Sequence, residues 1–283
     1  MRITRALFLL LLLCPFVSAK EPITVFLAGD STMAAKRPEK RPETGWGEFL
    51  QRHFDEKRVR VDNHAQNGRS TRTFIGEGRW QAILDRLRAG DYVLIQFGHN
   101  DSSKEKADRY TPPADYRANL ERFVAEVRAR RATPVLLTPV MRRRFDREGA
   151  VQDSHGVYPD IVRQVAAARR VALIDMHRKS WQTLARFGVE DSKALFLQLA
   201  AGQHANYPQG VNDNTHFSPH GAEVMAALAA EGVREQRLGL ARFLRKARRP
   251  DPRSGAPPRR KGLAARHSSE RKRPFKIADP ARL

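Results

Sequence analysis

A serine stands in the segment LAGDST, residues 27–32, directly after the apolar run ITVF, and far along the chain DNTHFSPHGA places Asp213 three residues before His216. Acyl transfer by serine would need a nucleophile, a base to take its proton, a carboxylate to orient that base, and N–H donors aimed at the developing oxyanion. Each part has a candidate. Ser31 is the nucleophile, His216 the base and Asp213 the carboxylate, since one tight turn over three residues brings Asp213 to one ring nitrogen while the other faces Ser31. The oxyanion donors are the backbone N–H groups of Ser31 itself and of Gly68 in AQNGRS, with the side-chain amide of Asn100 in FGHND.

Each fragment also has a plainer reading. Gly-Asp-Ser and Asn-Gly are ordinary turn dipeptides, and Asx side chains commonly cap exposed amides. Asp101 is read that way, as a structural residue; the Asp213–His216 pair is what tilts Ser31, Gly68 and Asn100 toward catalysis. His216 and His220 are four apart, but Pro219 falls between them and there is no H-E-x-x-H glutamate. No metal or other cofactor is expected, the remaining histidines show no ligand spacing, and His220 is read as a surface residue. His99 is read as a buried histidine bonded to a backbone carbonyl, outside the catalytic set. Trp46, Trp80 and Trp181 are assigned to packing.

Elements with the right period exist to position these groups. Short β-branched runs at 23–28, 59–64, 92–97, 133–139 and 171–176 alternate with helix-like segments, the pattern of a parallel sheet covered on both faces. Helical steps appear in GWGEFLQRHF, YRANLERFVAEVRAR and PHGAEVMAALAAEGV. In such folds ligands sit beyond the carboxyl ends of the strands where strand order reverses, and Ser31, Gly68 and Asn100 follow three successive strands.

The 283 residues carry a formal charge of +21, and residues 234–283 hold 17 Lys or Arg against 4 Asp or Glu. The excess is therefore concentrated in an Arg-, Pro- and Ser-rich tail, residues 235–283, expected to be disordered. Residues 1–19 read as a cleaved signal peptide, with Arg2 and Arg5, a short apolar block and a small-residue end at VSA. The expected location is outside the cytoplasm, periplasmic or secreted, with the folded domain at 20–234. The single cysteine, Cys14, lies in that signal, which excludes disulfides, thiolate metal sites and a cysteine nucleophile from the exported chain.

The ordered set AGDST, NGRSTRTFIGEGRW, GDYVLIQFGHNDS, TPVMRRRFD and DNTHFSPHGA, spanning about residues 23–233, resembles the SGNH (GDSL-like) hydrolases, and among them the rhamnogalacturonan acetylesterase branch. By that resemblance Ser31, Gly68, Asn100 and His216 match the four residues that name the family, and Asp213 the acid of the triad. The resemblance implies an α/β fold, a three-layer α/β/α flavodoxin-like sandwich with a five-stranded parallel sheet, and a serine esterase that removes acetyl groups from pectic polysaccharide. Arg69, Arg72 and Arg143 then become candidates to pair with substrate carboxylates, against the plainer reading of a solvated rim. Two alternatives stand: a lipolytic or thioester-cleaving relative, which would need an apolar acyl groove, or a basic polyanion-binding protein acting through the tail. Nucleic acid is not an expected partner, because the tail has only Phe243 and Phe275 to stack on bases.

Overall fold

Five parallel strands form the sheet of the computed structural model, which describes residues 21–245. They are β1 (Ile23–Gly29), β2 (Val59–Asn63), β3 (Tyr92–Gln96), β4 (Thr133–Leu137) and β5 (Ala172–Ile174), in the order β2-β1-β3-β4-β5. Register pairs Leu27 with Asn63 on one side and with Leu94 on the other. The order reverses beside β1, so a crevice opens beyond the carboxyl ends of β2, β1 and β3.

Strand residues alternate between two cores. Val25, Leu27, Leu94 and Leu137 join α1 (Gly47–Leu50), α6 (Met176–Asp191) and α7 (Pro219–Glu235) through Leu50, Leu184 and Met225. Phe26, Ile95 and Leu136 face the other way, onto α2 (Thr71–Gly76), α3 (Arg79–Leu84), α4 (Pro113–Ala129) and α5 (Tyr158–Arg169) through Phe74, Ile83, Phe123 and Val162. The result is the expected three-layer sandwich. Central strands buried on both faces need continuous apolar sequence, and that is why VLI and VLL in β3 and β4 lack polar alternation.

The expected strand positions hold to within a few residues. GWGEFLQRHF does not make one helix: α1 ends at Leu50 and a 3-10 turn, Gln51–His53, follows. Trp46 and Trp80 are buried as expected, while Trp181 is only partly covered. A two-stranded antiparallel ribbon, β6 (Phe196–Leu199) with β7 (Val211–Phe217), is a feature the strand pattern did not suggest.

Residues 1–20 and 246–283 lie outside the described residues, and with them the expected signal segment and most of the expected tail. The tail boundary at 235 needs correction. A 3-10 turn, Gly239–Phe243, continues beyond α7, Leu240 is fully buried, and Leu244 bridges to Phe54. Apolar Leu240 and Leu244 have a surface to cover, so the packed domain runs eleven residues further, through Arg245.

Candidate active site

Asp213 and His216 owe their positions to an interrupted ladder. Gln198 of β6 pairs with Asn212 while Phe196 pairs with Phe217, so a short stretch of β6 faces a much longer one of β7. Residues 213–216 are thereby expelled as a bulge, a device that re-aims side chains. Asp213 stabilises the bulge itself: its Oδ1 accepts from the N–H groups of Thr215 (2.7 Å) and His216 (2.9 Å). Immediately afterwards Ser218 caps α7, accepting from Gly221 N–H at 3.1 Å. α7 can approach so closely only because residue 221 is glycine; a Cβ there would meet the Leu195 carbonyl oxygen at 1.7 Å.

The side chains form a continuous chain of hydrogen bonds. Asp213 Oδ2 lies 2.6 Å from His216 Nδ1, and His216 Nε2 lies 2.9 Å from Ser31 Oγ. Burial pushes the Asp213 carboxyl up, but the bonds from His216 and Thr215 outweigh it and hold the group down at about 2. It is a carboxylate at any working pH, which fixes the proton on His216 Nδ1 and leaves Nε2 as acceptor toward Ser31.

Ser31 follows β1 on a turn braced from beneath. Trp46 Nε1–H donates to Gln96 Oε1 (3.0 Å), Gln96 Nε2–H to Thr32 Oγ1 (2.8 Å), and Thr32 to Asp30 Oδ1 (2.8 Å). All four residues are buried, and an interior network of this kind rigidifies what it holds, while Asp30 Oδ2 is left without a partner among the described residues. The N–H groups of Ser31 and Gly68 donate to no carbonyl or side chain within their turns. Gly68 sits at φ +75°, the left-handed region that favours glycine, and a Cβ would meet Arg109 Nη1 at 3.2 Å. Asn100 Nδ2 donates one hydrogen to the Arg69 carbonyl at 2.9 Å, which orients the amide and leaves its second N–H for the cleft.

All three expected donors, together with His216, line one cleft of about 710 Å³ around Ser31. The rest of its lining is Lys40, Glu43, Asn67, Arg69, Thr73, Glu77, His99, Ser103, Glu105, Lys106, Asp108, Arg109, Arg142 and Thr215. Every one of these side chains is polar. Arg69 is tied to Glu77 at 2.9 Å. Arg72 and Arg143 are absent from the lining: Arg72 donates to the Ala107 carbonyl, and Arg143 spends its guanidinium on Ser192, Asn214 and Val189. Arg142, next in sequence, does line the cleft, and its buried Nε has no partner among the described residues.

Asp101 has the structural role expected of it, on a different helix. Its Oδ1 accepts from Thr71 N–H (2.9 Å) and Thr71 Oγ1–H (2.6 Å), so it joins the end of β3 to the start of α2. Full burial raises its pKa to about 6. His220 is exposed at the start of α7. His99 does not bond a carbonyl through its ring; Nδ1 lies 3.1 Å from His155 Nε2, and burial holds both imidazoles in the neutral form, His155 at about 3.

Sequence reading missed Lys36 and Glu43. The Lys36 ammonium, with no exposed side-chain surface, donates to the Ser31 carbonyl and to Asn67 Oδ1 (2.8 Å), and pairs with Glu43 Oε1 at 2.9 Å. It cross-links the nucleophile turn to the Gly68 turn. Glu43 Oε1 in turn stands 3.9 Å from His216 Nε2. No periodic signal marks either residue within KRPEKRPE, where charge ordinarily means solvent.

Comparison with known proteins places the chain among esterases and acylhydrolases. Residues 27–224 match the model of the GDSL-like lipase/acylhydrolase family. The chain is 44% identical over 221 residues to the rhamnogalacturonan acetylesterase RhgT of Bacillus subtilis, covering 78% of this chain and 93% of that one. It is 38% identical over 225 residues to the probable rhamnogalacturonan acetylesterase YesY of the same organism, covering 79% and 98%. Among solved structures, Bacillus subtilis YxiM superposes with a TM-score of 0.66 at 25% identity, over 77% of this chain and 58% of that one. A variant of the acetyl-xylooligosaccharide esterase Axe2 of Geobacillus shares the fold, with a TM-score of 0.55 at 18% identity over 75% and 94%. With the family model matching most of its length, the chain belongs to the GDSL-like lipase/acylhydrolase family.

Proposed function

We propose that this protein is a serine acetylesterase acting on an acetylated, acidic cell-wall polysaccharide of the rhamnogalacturonan type, and that it works outside the cytoplasm. The observation that carries the substrate class is the cleft around Ser31, whose lining among the described residues contains no aliphatic side chain. A long acyl chain would find nothing apolar to bury against, whereas a hydroxyl-rich sugar and a two-carbon acyl group suit such walls. The lipolytic alternative is disfavoured on the same ground. Two relatives that match nearly their whole length carry the name rhamnogalacturonan acetylesterase, established or probable, which supports the polymer. The signal-like residues 1–19 support export.

The reaction follows from the distances. Ser31 Oγ attacks the acetyl carbonyl as His216 Nε2 takes its proton, and Asp213 stabilises the imidazolium that forms. Glu43, at 3.9 Å from the same nitrogen, adds a second carboxylate field. Negative charge on the carbonyl oxygen is met by the N–H groups of Ser31, Gly68 and Asn100. His216 then returns the proton to the departing sugar oxygen, and water, activated by the same imidazole, releases acetate. Arg142 in the cleft lining and Arg109 above Gly68 are the guanidinium groups placed to meet uronate carboxylates.

The test is acetate release from acetylated rhamnogalacturonan, acetylated xylan and a long-chain acyl ester in parallel. The proposal expects the pectic polymer to be preferred. Preference for xylan would overturn the polymer assignment, and preference for the long chain would overturn the acetylesterase reading.

A further inference from the structure

On the far side of His99 from the catalytic cleft, Asp153, His155 and His177 converge, with one ligand atom of each lying within 4.8 Å of the other two. We propose that these three residues form a binding site for a divalent first-row transition-metal ion of the zinc class, separate from the esterase chemistry.

The ligand set is suited to such an ion. Two imidazoles and one carboxylate leave at least one position open, and at bond lengths near 2.1 Å the donors of a four-coordinate ion stand roughly 3.4 Å apart. The observed cluster needs only a small rearrangement to reach that. His177 Nε2 and Asp153 Oδ1, now 2.8 Å apart and sharing a proton, would part slightly to admit the ion, which displaces that proton.

Each ligand is already oriented by other groups. Asp153 accepts from the N–H groups of His155 (3.2 Å) and Gly156 (2.7 Å), which fixes its carboxylate on the loop before α5. His177 stands in the first turn of α6, its N–H donating to Thr138 Oγ1 at 2.8 Å. His155 is 2% exposed and has its Nε2 against His99 Nδ1. With the shared proton on His155 Nε2, its Nδ1 lone pair is free, opposed only by a 3.4 Å approach from Ser154 Oγ. A metal-bound histidine typically has its second nitrogen held in this way by an outer group. A separate cleft of about 430 Å³, lined by Arg163, Asp175, His177, Arg178, Trp181 and Gln182, reaches the cluster on its His177 side.

Only Asp153 and His155 are near one another in sequence, and His177 comes from a later element, so no ligand spacing marks the set in the chain. An ion here would pin the loop before α5 to α6 and, through His155, steady His99 in the wall of the catalytic cleft. Ester hydrolysis itself runs through Ser31, His216 and Asp213 and needs no ion.

The experiment titrates the metal-free full chain with Co²⁺, whose visible absorption reports coordination, and repeats the titration with Zn²⁺ by calorimetry and by melting temperature. One ion per chain is expected, with a rise in melting temperature on Zn²⁺. In Asp153→Asn/His177→Gln binding should be lost, with His177→Gln alone deciding if the double variant fails to fold by circular dichroism. His99→Asn should bind about tenfold to a hundredfold more weakly, and His220→Gln as well as wild type. No saturable binding, or binding that survives His177→Gln unchanged, overturns the proposal.

Discussion

Lys36 Nζ lies 2.9 Å from Glu43 Oε1 in a pair shielded from solvent, and the same ammonium holds the Ser31 carbonyl and the Asn67 side chain. Two turns that must present oxyanion donors to one point are therefore fastened by one buried cation. Burial pushes the Lys36 pKa down while Glu43 pulls it back toward its ordinary value. Lys36→Met leaves Glu43 buried without its counter-ion and should cost about 3–5 kcal/mol of stability. Below its lowered melting temperature the variant should keep KM and lose kcat, since the donors rather than the substrate contacts are released. Denaturant unfolding with steady-state kinetics checks both; an unchanged kcat would confine Lys36 to stability.

Asn100 is aimed by its bond to the Arg69 carbonyl. Asn100→Ala should lower turnover on the order of a hundredfold to a thousandfold with little change in KM, as for loss of one oxyanion donor. A decrease under about tenfold would remove Asn100 from that role.

Asp101 predicts a pH effect of defined sign. Its folded pKa, about 6, stands above the ordinary 3.8, so the native state favours the protonated acid. The contribution is complete below the unfolded value and is lost as pH rises through about 6, amounting to about 3 kcal/mol. Asp213 has the opposite sign, because its depressed value of about 2 gives stability that disappears only as pH falls from the ordinary carboxylate range toward 2. Asp101→Asn keeps an oxygen for Thr71 and carries no charge, so urea midpoints between pH 4 and 7 should fall less steeply than in wild type. Equal slopes would contradict the assignment.

Arg142 should separate substrates. Replacing it with glutamine is expected to raise KM for an acidic acetylated polymer several-fold while kcat/KM for a neutral aryl acetate stays within about twofold, because only the polymer offers a carboxylate to a guanidinium. Added salt should mimic the variant on the polymer alone. Equal losses on both substrates would show that Arg142 acts through its bond to the His99 carbonyl, 3.1 Å away.

Much of this was readable from residue order. Runs such as VLIQF and VLLTP are buried on both faces, so their apolar continuity survives translation into strands, and the turn residues Ser31, Gly68 and Asn100 fall at strand ends because loops must carry the polar groups. The bulge that exposes Asp213 and His216 was not readable: VNDNTHF has no alternation, and the ribbon exists through pairing with Phe196 and Gln198. Lys36 and Glu43 were hidden for a related reason. A lysine looks solvated in any one-dimensional pattern, and its burial depends on three acceptors brought from separate turns. Of the arginine run after β4, Arg142 lines the cleft while Arg143 bonds Ser192, Asn214 and Val189, a distinction that three identical residues in a row do not carry.

The central claim, that Ser31 is the nucleophile activated by His216, is tested most directly by reaction with a fluorophosphonate followed by peptide mass mapping. A single adduct on the peptide containing Ser31 is expected, absent from Ser31→Ala and slowed at least about a thousandfold in His216→Ala. An adduct on another serine, or acetate release by Ser31→Ala at the wild-type rate, would contradict the account.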